Sequence, residues 1–436
     1  MKFHVAALFL LSAPGMTFAQ TPARQKLSVD DAVKMALQQN DLVQASREQQ
    51  DAADDTSHSV RGRLLPSFAV QEEYQHYRNA FSPTVAFPGV PGPGISFPIH
   101  NQNTNSFVIA AQQPLLGLFH IGEDLAAANC AADAAKAGVK LAESSIIEGV
   151  RTAFLRLFQA RAQVEIAQAS EQQLAEQIQV GKSRFEAGVL TRADLLRLDV
   201  AAANAKQQEI QGEVQERITR ANILSALGRN PDEDVEFLEP VELEKANFSL
   251  EPFESISNAA LTRRPEVIQA EAQAGAARHN AAARLLEILP EVNAEAAYVR
   301  IDGQTLAEHE SYYAGVKASW SFWDWGTRYF AHRTAAHQAS AAMFSADNQR
   351  RQVGLDISTK LATARAAASA VSVADTAIQS AEEAFRVMQA LVKAGSATTT
   401  DLLDAQASLT QAKLSLVRAR YDQAISQVSL VRATAQ

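Results

Sequence analysis

Apolar residues recur every seven positions over two very long stretches of this chain. In one stretch Ile357, Ala364, Val371, Ile378, Phe385 and Val392 keep a single register, with Ala367, Ala374, Ala381 and Met388 interleaved. In the other, Val150, Leu157, Val164, Ile178 and Phe185 keep it with one interruption at Glu171, and Ala153, Ala160, Ala167, Leu174 and Gly181 fall between them. Apolar positions at an average spacing of 3.5 form the seam of a coiled coil. The pattern predicts long helices at about Ile121–Glu186 and Gly326–Lys393. A helix of roughly 65 residues is about 100 Å long. No single globular core has that length, so partner helices must accompany each one. Return helices are predicted at about Arg192–Leu227 and Thr399–Ala433, the second continuing the seam through Leu402, Leu409 and Leu416.

Between the helical stretches the period changes to two. Strands are predicted at about Pro66–Tyr77, Ser106–Leu116, Pro290–Ile301 and Tyr312–Phe322. In the last, Tyr312, Ala314, Val316, Ala318, Trp320 and Phe322 share one face and Tyr313, Gly315, Lys317, Ser319 and Ser321 the other. In the third, Val292, Ala294, Ala296 and Tyr298 oppose Glu291, Asn293 and Glu295. Phe107, Ile109 and Ala111 share a face in the second, while Glu72 interrupts Phe68, Val70 and Tyr74 in the first. About ten residues of one-sided alternation is the form of a tilted membrane strand with a lipid face and a wet face. A soluble sandwich alternates too. Trp320, Trp323 and Trp325 gather at one strand end, where aromatic girdles sit.

The chain is written twice. Gly188 aligns with Gly395, an offset of 207, and Asp194-Leu195-Leu196 then falls on Asp401-Leu402-Leu403. Pro66 aligns with Pro290, an offset of 224, so the first copy is longer by 17 residues between its Pro66 and its Gly188. The excess maps to Ala80–Asn105, where Pro88, Gly89, Pro91, Gly92, Pro93 and Gly94 predict a long loop. Each copy reads helix, two strands, very long helix, helix, opening with helices at Ser28–Leu65 and Phe253–Leu289. The expected division is a leader peptide at 1–19, a first repeat at 20–228, a linker at 229–252 and a second repeat at 253–436. The leader rests on Lys2 and His4, the apolar run Val5–Leu11 and the small-residue site Thr17-Phe18-Ala19.

Composition narrows the reading. The net charge of −9 argues against nucleic acid as a partner. The one cysteine, Cys130, excludes a disulfide framework. No later segment has about 18 uninterrupted apolar residues, so any membrane entry is through strands. The nine histidines are scattered, and no metal-ligand spacing, phosphate loop or nucleophile elbow appears. Neither cofactor nor enzyme is expected. Four strands cannot close a barrel, and open edges are not tolerated in lipid. Several copies must therefore combine, and the residues alone allow two, three or more. The alternative is a coiled-coil structural protein of the cell envelope with no channel.

Arg184-Phe185-Glu186-Ala187-Gly188 followed by Thr191 and Asp194-Leu195-Leu196, its echo Lys393-Ala394-Gly395 with Asp401-Leu402-Leu403-Asp404-Ala405, and the turn Trp323-Asp324-Trp325-Gly326 together resemble the outer membrane efflux family of the TolC type. The likeness covers essentially the whole chain after the leader. It implies a mainly helical fold with a small β contribution: a homotrimer with a 12-stranded barrel in the outer membrane and a helical barrel across the periplasm. It implies a passive exit duct, docked to a periplasmic adaptor and an inner-membrane pump of the proton-driven RND or the ABC type. Asp401, Asp404 and Asp194 stand at the family's acidic tip positions, where rings of carboxylates would attract cations. Asp401 equally suits a helix start. Arg184, Gly188, Lys393 and Gly395 mark the tip an adaptor would grip, and the same glycines suit left-handed helix caps. The tyrosine and arginine that latch the family's tip are Val392 and Ala397 here, which leaves Arg192 or Lys393 as replacements.

Overall fold

A computed structural model describes residues 25–86, 88–89, 91–239, 253–305 and 307–435. The expected leader at 1–19 and residues 240–252 of the expected linker lie outside the described residues. The first copy comprises β1 (Gln25–Leu27), α1 (Val29–Gln39), α2 (Asp41–Gly62), β2 (Ser67–His76), β3 (Thr84–Val85), β4 (Ile95–Ser96), β5 (His100–Pro114), α3 (Gly117–Glu186) and α4 (Arg192–Ala226). The second comprises β6 (Val235–Phe237), α5 (Phe253–Arg263), α6 (Pro265–Leu286), β7 (Glu291–Gln304), β8 (Glu310–Ser319), α7 (Thr327–Lys393) and α8 (Thr399–Thr434).

The long helices α3 and α7 have 70 and 67 residues, about 105 and 100 Å of rod. Along one end of the rods the partners are α2 and α6; along the other they are α4 and α8. The heptad seam is what holds the lower rods. Phe385 packs with Leu402 and Leu409, supported by Ala381, Met388 and Val392; higher up, Ala374 meets Leu416 and Ala419 beside Val371 and Ile378. Side by side the lower helices run α4, α3, α8, α7, which leaves α4 and α7 on the flanks.

Several features differ from the sequence expectation: the expected loop Ala80–Asn105 holds the short strands β3 and β4, and three other differences have a local reason. The helix expected over Ser28–Leu65 is broken at Asn40. That side chain caps α2 by accepting the Leu42 N–H at 3.0 Å and donates to the Ala226 carbonyl at 3.0 Å. The helix expected over Phe253–Leu289 breaks at Arg264, extended (ψ 123) because Pro265 follows. β5 begins at His100 rather than near Ser106, since polar Asn103, Thr104 and Asn105 pair with His76, Gln75 and Tyr74. A polar strand end of this kind carries no alternation.

Where the helix partners change, a belt forms. The parallel pair β1 and β6, joined by α1, covers Val150, Phe154, Leu157 and Phe158 of α3 and Ile223 and Leu224 of α4. Phe154 meets Phe237 edge to face at 5.4 Å. Beside it an ionic node ties both copies. Arg264, buried, donates to Glu266 at 2.9 and 3.0 Å and to Asp356 at 3.2 Å. Arg432 donates to Glu148 at 2.6 Å and lies 3.7 Å from Glu266.

Partial burial pushes the Glu148 carboxyl up, but hydrogen bonds from Ser429 and Arg432 outweigh it and hold the group below the usual range. A depressed carboxyl contributes stability that is complete above its unfolded pKa and lost as pH falls through the folded one. Glu148→Gln should therefore lose less stability than the parent chain between about pH 5 and pH 3, read from urea midpoints by circular dichroism.

Candidate functional site

Two regions carry chemistry: the strand wall and the ends of the helical hairpins. The wall is one antiparallel sheet in the order β2, β5, β7, β8. Its register aligns residues in rows, and directly opposed residues share a face. One row is Phe68, Ala111, Ala296, Ala314; the next is Val70, Ile109, Tyr298, Tyr312. Ala294 and Val316, then Val292 and Ala318, extend the same face. The row Glu72, Phe107, Arg300, Glu310 ends it. The opposite face carries Gln71, Glu73, Ser106, Gln112, Asn293, Glu295 and Lys317. The apolar face is bare: Phe68 is 78% exposed and Tyr312 88%. From Tyr312 to Ser319 β8 rises about 23 Å along the strand, close to the height of a membrane band.

β8 stops at Ser319, so Trp320, Trp323 and Trp325 stand in the link to α7 rather than in the strand. All three are exposed. Trp320 donates its indole N–H to the Ile288 carbonyl at 3.2 Å, and Trp323 and Trp325 contact edge to face at 5.6 Å. Asp324 accepts from the Gly326 and Arg328 backbone N–H groups at 3.0 and 3.1 Å, which fixes the turn into α7.

The sheet has two unpaired edges, β2 and β8. The flanking lower helices are equally unfinished. On α4, Leu196, Val200, Ile210, Val214 and Ile218 are exposed; on α7, Phe344, Leu355, Val373, Val387 and Leu391 are. At 100° per residue each set falls within a stripe of about 80°. Among the described residues nothing covers either stripe.

At the far ends the two hairpins repeat one construction. Gly188 (φ +75) and Gly395 (φ +77) adopt the left-handed conformation. The Val189 N–H reaches the Arg184 carbonyl at 2.9 Å and the Gly188 N–H that of Phe185 at 2.9 Å; Ser396 reaches Leu391 at 2.9 Å and Gly395 reaches Val392 at 3.2 Å. These are paired Schellman closures, which need a residue free of Cβ strain. Thr191 and Thr398 then cap α4 and α8 by accepting the N–H of Asp194 and Asp401, each at 3.2 Å. Asp194 and Asp401 accept back from those hydroxyls at 2.6 and 2.7 Å. The Thr398 hydroxyl first, and its backbone N–H second, hold the Asp401 carboxyl below the usual range. Asp401 is thus ionised and spoken for as a cap, while Asp404, one turn on, is exposed with a free carboxylate.

Arg184 and Lys393 line one cavity of 240 Å³ between the hairpins, with Gly181, Leu198, Phe385 and Leu402. Neither Lys393 nor Arg192 makes an ion pair among the described residues. The cross-hairpin contact comes instead from Arg197, which donates to the Thr400 hydroxyl at 2.7 Å and lies 3.5 Å from Asp194. Arg197 went unnoticed in the sequence. Its signal is the i, i+3 spacing from Asp194, legible only once the two hairpins are known to be neighbours.

The sequence matches the outer membrane efflux protein family over residues 32–229 and 256–436. It is 23% identical to the outer membrane efflux protein BepC of Brucella suis over 345 residues, 76% of this chain and 72% of that protein. It is 23% identical over 276 residues to the alkaline protease secretion protein AprF of Pseudomonas aeruginosa, 60% of this chain and 56% of AprF. The outer membrane protein VceC of Vibrio cholerae has the same fold: TM-score 0.81 at 15% identity, over 93% of this chain and 95% of VceC.

Arg197→Ala removes an exposed contact, so its cost to global stability should be about 0.5 kcal/mol or less. It should nonetheless broaden the distance distribution between spin labels at Ala187 and Ala394; an unchanged distribution would show that the contact does not set the spacing of the two ends.

Proposed function

The chain belongs to the outer membrane efflux protein family, and from that premise we propose a homotrimer whose three sheets close one barrel and whose hairpins close one tube beneath it. The chain itself is an outer-membrane channel subunit with a periplasmic extension, an exit duct for an efflux or secretion pump. What carries the proposal is the pair of bare edges. An edge strand in lipid leaves N–H and C=O groups with no partner, at several kcal/mol each. β2 and β8 run antiparallel across the sheet, so β8 of one copy can pair with β2 of the next. Three copies of four strands make twelve. The exposed stripes on α4 and α7 support the same closure below, since each is an apolar seam lacking its partner. Adjacent copies would bury both.

In this reading the apolar rows face lipid and the Trp320, Trp323 and Trp325 group lies at one membrane boundary. The hairpin ends form the entrance. Asp404 is the carboxylate free to ring it, Asp401 adds charge while capping α8, and Asp194 does the same for α4. Arg184 and Lys393, in the cleft beside Gly188 and Gly395, offer the surface for a periplasmic adaptor, with an inner-membrane pump of RND or ABC type beyond. BepC is named for efflux and AprF for secretion, so the reading covers both kinds of pump. Among the described residues no helix is long and apolar enough to cross a membrane, and no group of three or more His, Cys, Asp or Glu is placed to hold a metal.

Extraction from membranes with detergent should give a particle of three chains by light scattering that conducts in planar bilayers. A water-soluble monomer without conductance would sink the proposal. Asp401→Ala with Asp404→Ala should weaken block by divalent cations; unchanged block would remove the acidic ring but leave the duct.

A further inference from the structure

A groove of 990 Å³ lies at the level of the belt, where stripes from α3, α4, α7 and α8 converge. On α3 it is lined by Ser145, Gly149, Thr152 and Arg156, the helix face opposite to Val150, Phe154 and Leu157. That second face is covered by α1, β1 and β6. A closed ring of helices has no room for such a covering layer inside it. Resting on the trimeric duct proposed above, the groove therefore faces the bore.

Its chemistry is uneven. The floor is alanine, from Ala153, Ala367, Ala370 and Ala419. Two cations line it, Arg156 from α3 and Lys360 from α7, and neither makes an ion pair or hydrogen bond among the described residues. Of the two carboxylates, Glu148 is already engaged by Arg432 at 2.6 Å and Ser429 at 2.8 Å. Glu148 also feels the charge of Lys360 across the groove, and Asp422 is the carboxylate with no ion pair or hydrogen bond among the described residues. The Thr152 hydroxyl is buried at the groove wall without a partner. A small apolar floor, hydroxyls at the wall and two cations with no hydrogen-bonded carboxylate match an amphiphilic organic anion: a sulfonate or carboxylate on a compact apolar body. The volume lies in the range of small-molecule sites.

We propose that this groove is a cargo station inside the duct, repeated once per copy, which holds amphiphilic anions through Arg156 and Lys360. The binding is weak by construction. The groove is open along one side, so its charges are screened by water, and a conducting path needs sites that release what they bind.

The test is block of single-channel current by 2-naphthalenesulfonate, compared with the cationic 2-naphthylmethylammonium. Each half-blocking concentration is read against the same variant's current without blocker. The sulfonate should block at roughly millimolar concentration and the ammonium about tenfold less well. One solvent-facing charge is worth up to about five-fold. Arg156→Gln with Lys360→Gln should accordingly raise the sulfonate's half-blocking concentration several-fold, up to about 25-fold, while Asp422→Asn should lower it. Equal block by the two probes, or a sulfonate block that neither change moves, would overturn the station. Asp422→Asn alone decides if the double variant does not reach the membrane: no gain in block overturns the proposal. A wild-type chain that conducts normally but fails these comparisons leaves the duct standing. A wild-type chain that never conducts takes the duct and the station down together.

Discussion

A backbone amide in hydrocarbon has no water to bond, and the rest of this structure follows from that constraint. Four strands give each other partners at three internal junctions and leave two rows unpaired, on β2 and β8. The chain offers neither a closing strand nor a covering loop among the described residues. In the assembly proposed above the missing partners come from identical chains. Once that is granted, the exposed stripes on α4 and α7 need no separate explanation. They lie on the flanks of the lower layer, as β2 and β8 lie on the edges of the sheet, and the same neighbour completes both.

The helices solve a different problem with different means. Rods of 70 and 67 residues cannot bury themselves in a globule, so they exchange partners halfway. Asn40 and Pro265 end the short helices near the exchange point, and the belt of β1, β6 and α1 fills the gap left there. Small residues at seam positions, such as Ala364 and Ala374, let the axes approach.

Much of this was legible in the sequence. The heptads located α3 and α7, because a seam must repeat wherever a rod is buried. The period-two alternation located β7 and β8, whose apolar faces are nearly uninterrupted. Less legible were features set by contacts between distant segments. β1 and β6 are three residues each, too short for any period, and exist because they pair with one another across 209 intervening positions (Gln25 opposite Val235). The early start of β5 is written in asparagines whose side chains bond across the strand pair, Asn103 with Tyr74 and His76 and Asn105 with Glu72. At the tip, the helix start at Thr398–Asp401 was readable, but that Asp404 stands exposed beside it was not. Arg197 has the same character, an ordinary helical arginine until Thr400 comes within 2.7 Å.

The pairing of β8 with β2 of the next copy is the claim on which the whole account stands, and disulfide trapping addresses it directly. With Cys130 replaced by alanine, cysteines at Ala314 and, in turn, at Phe68, Val70 and Tyr74 place one thiol on each edge strand, all on the lipid face. A paired edge brings opposed β-carbons to about 5 Å, within reach of a disulfide. The account predicts covalent dimers and trimers for at least one of these pairs in intact membranes. Folded, membrane-inserted chains that cross-link at none of them would contradict it.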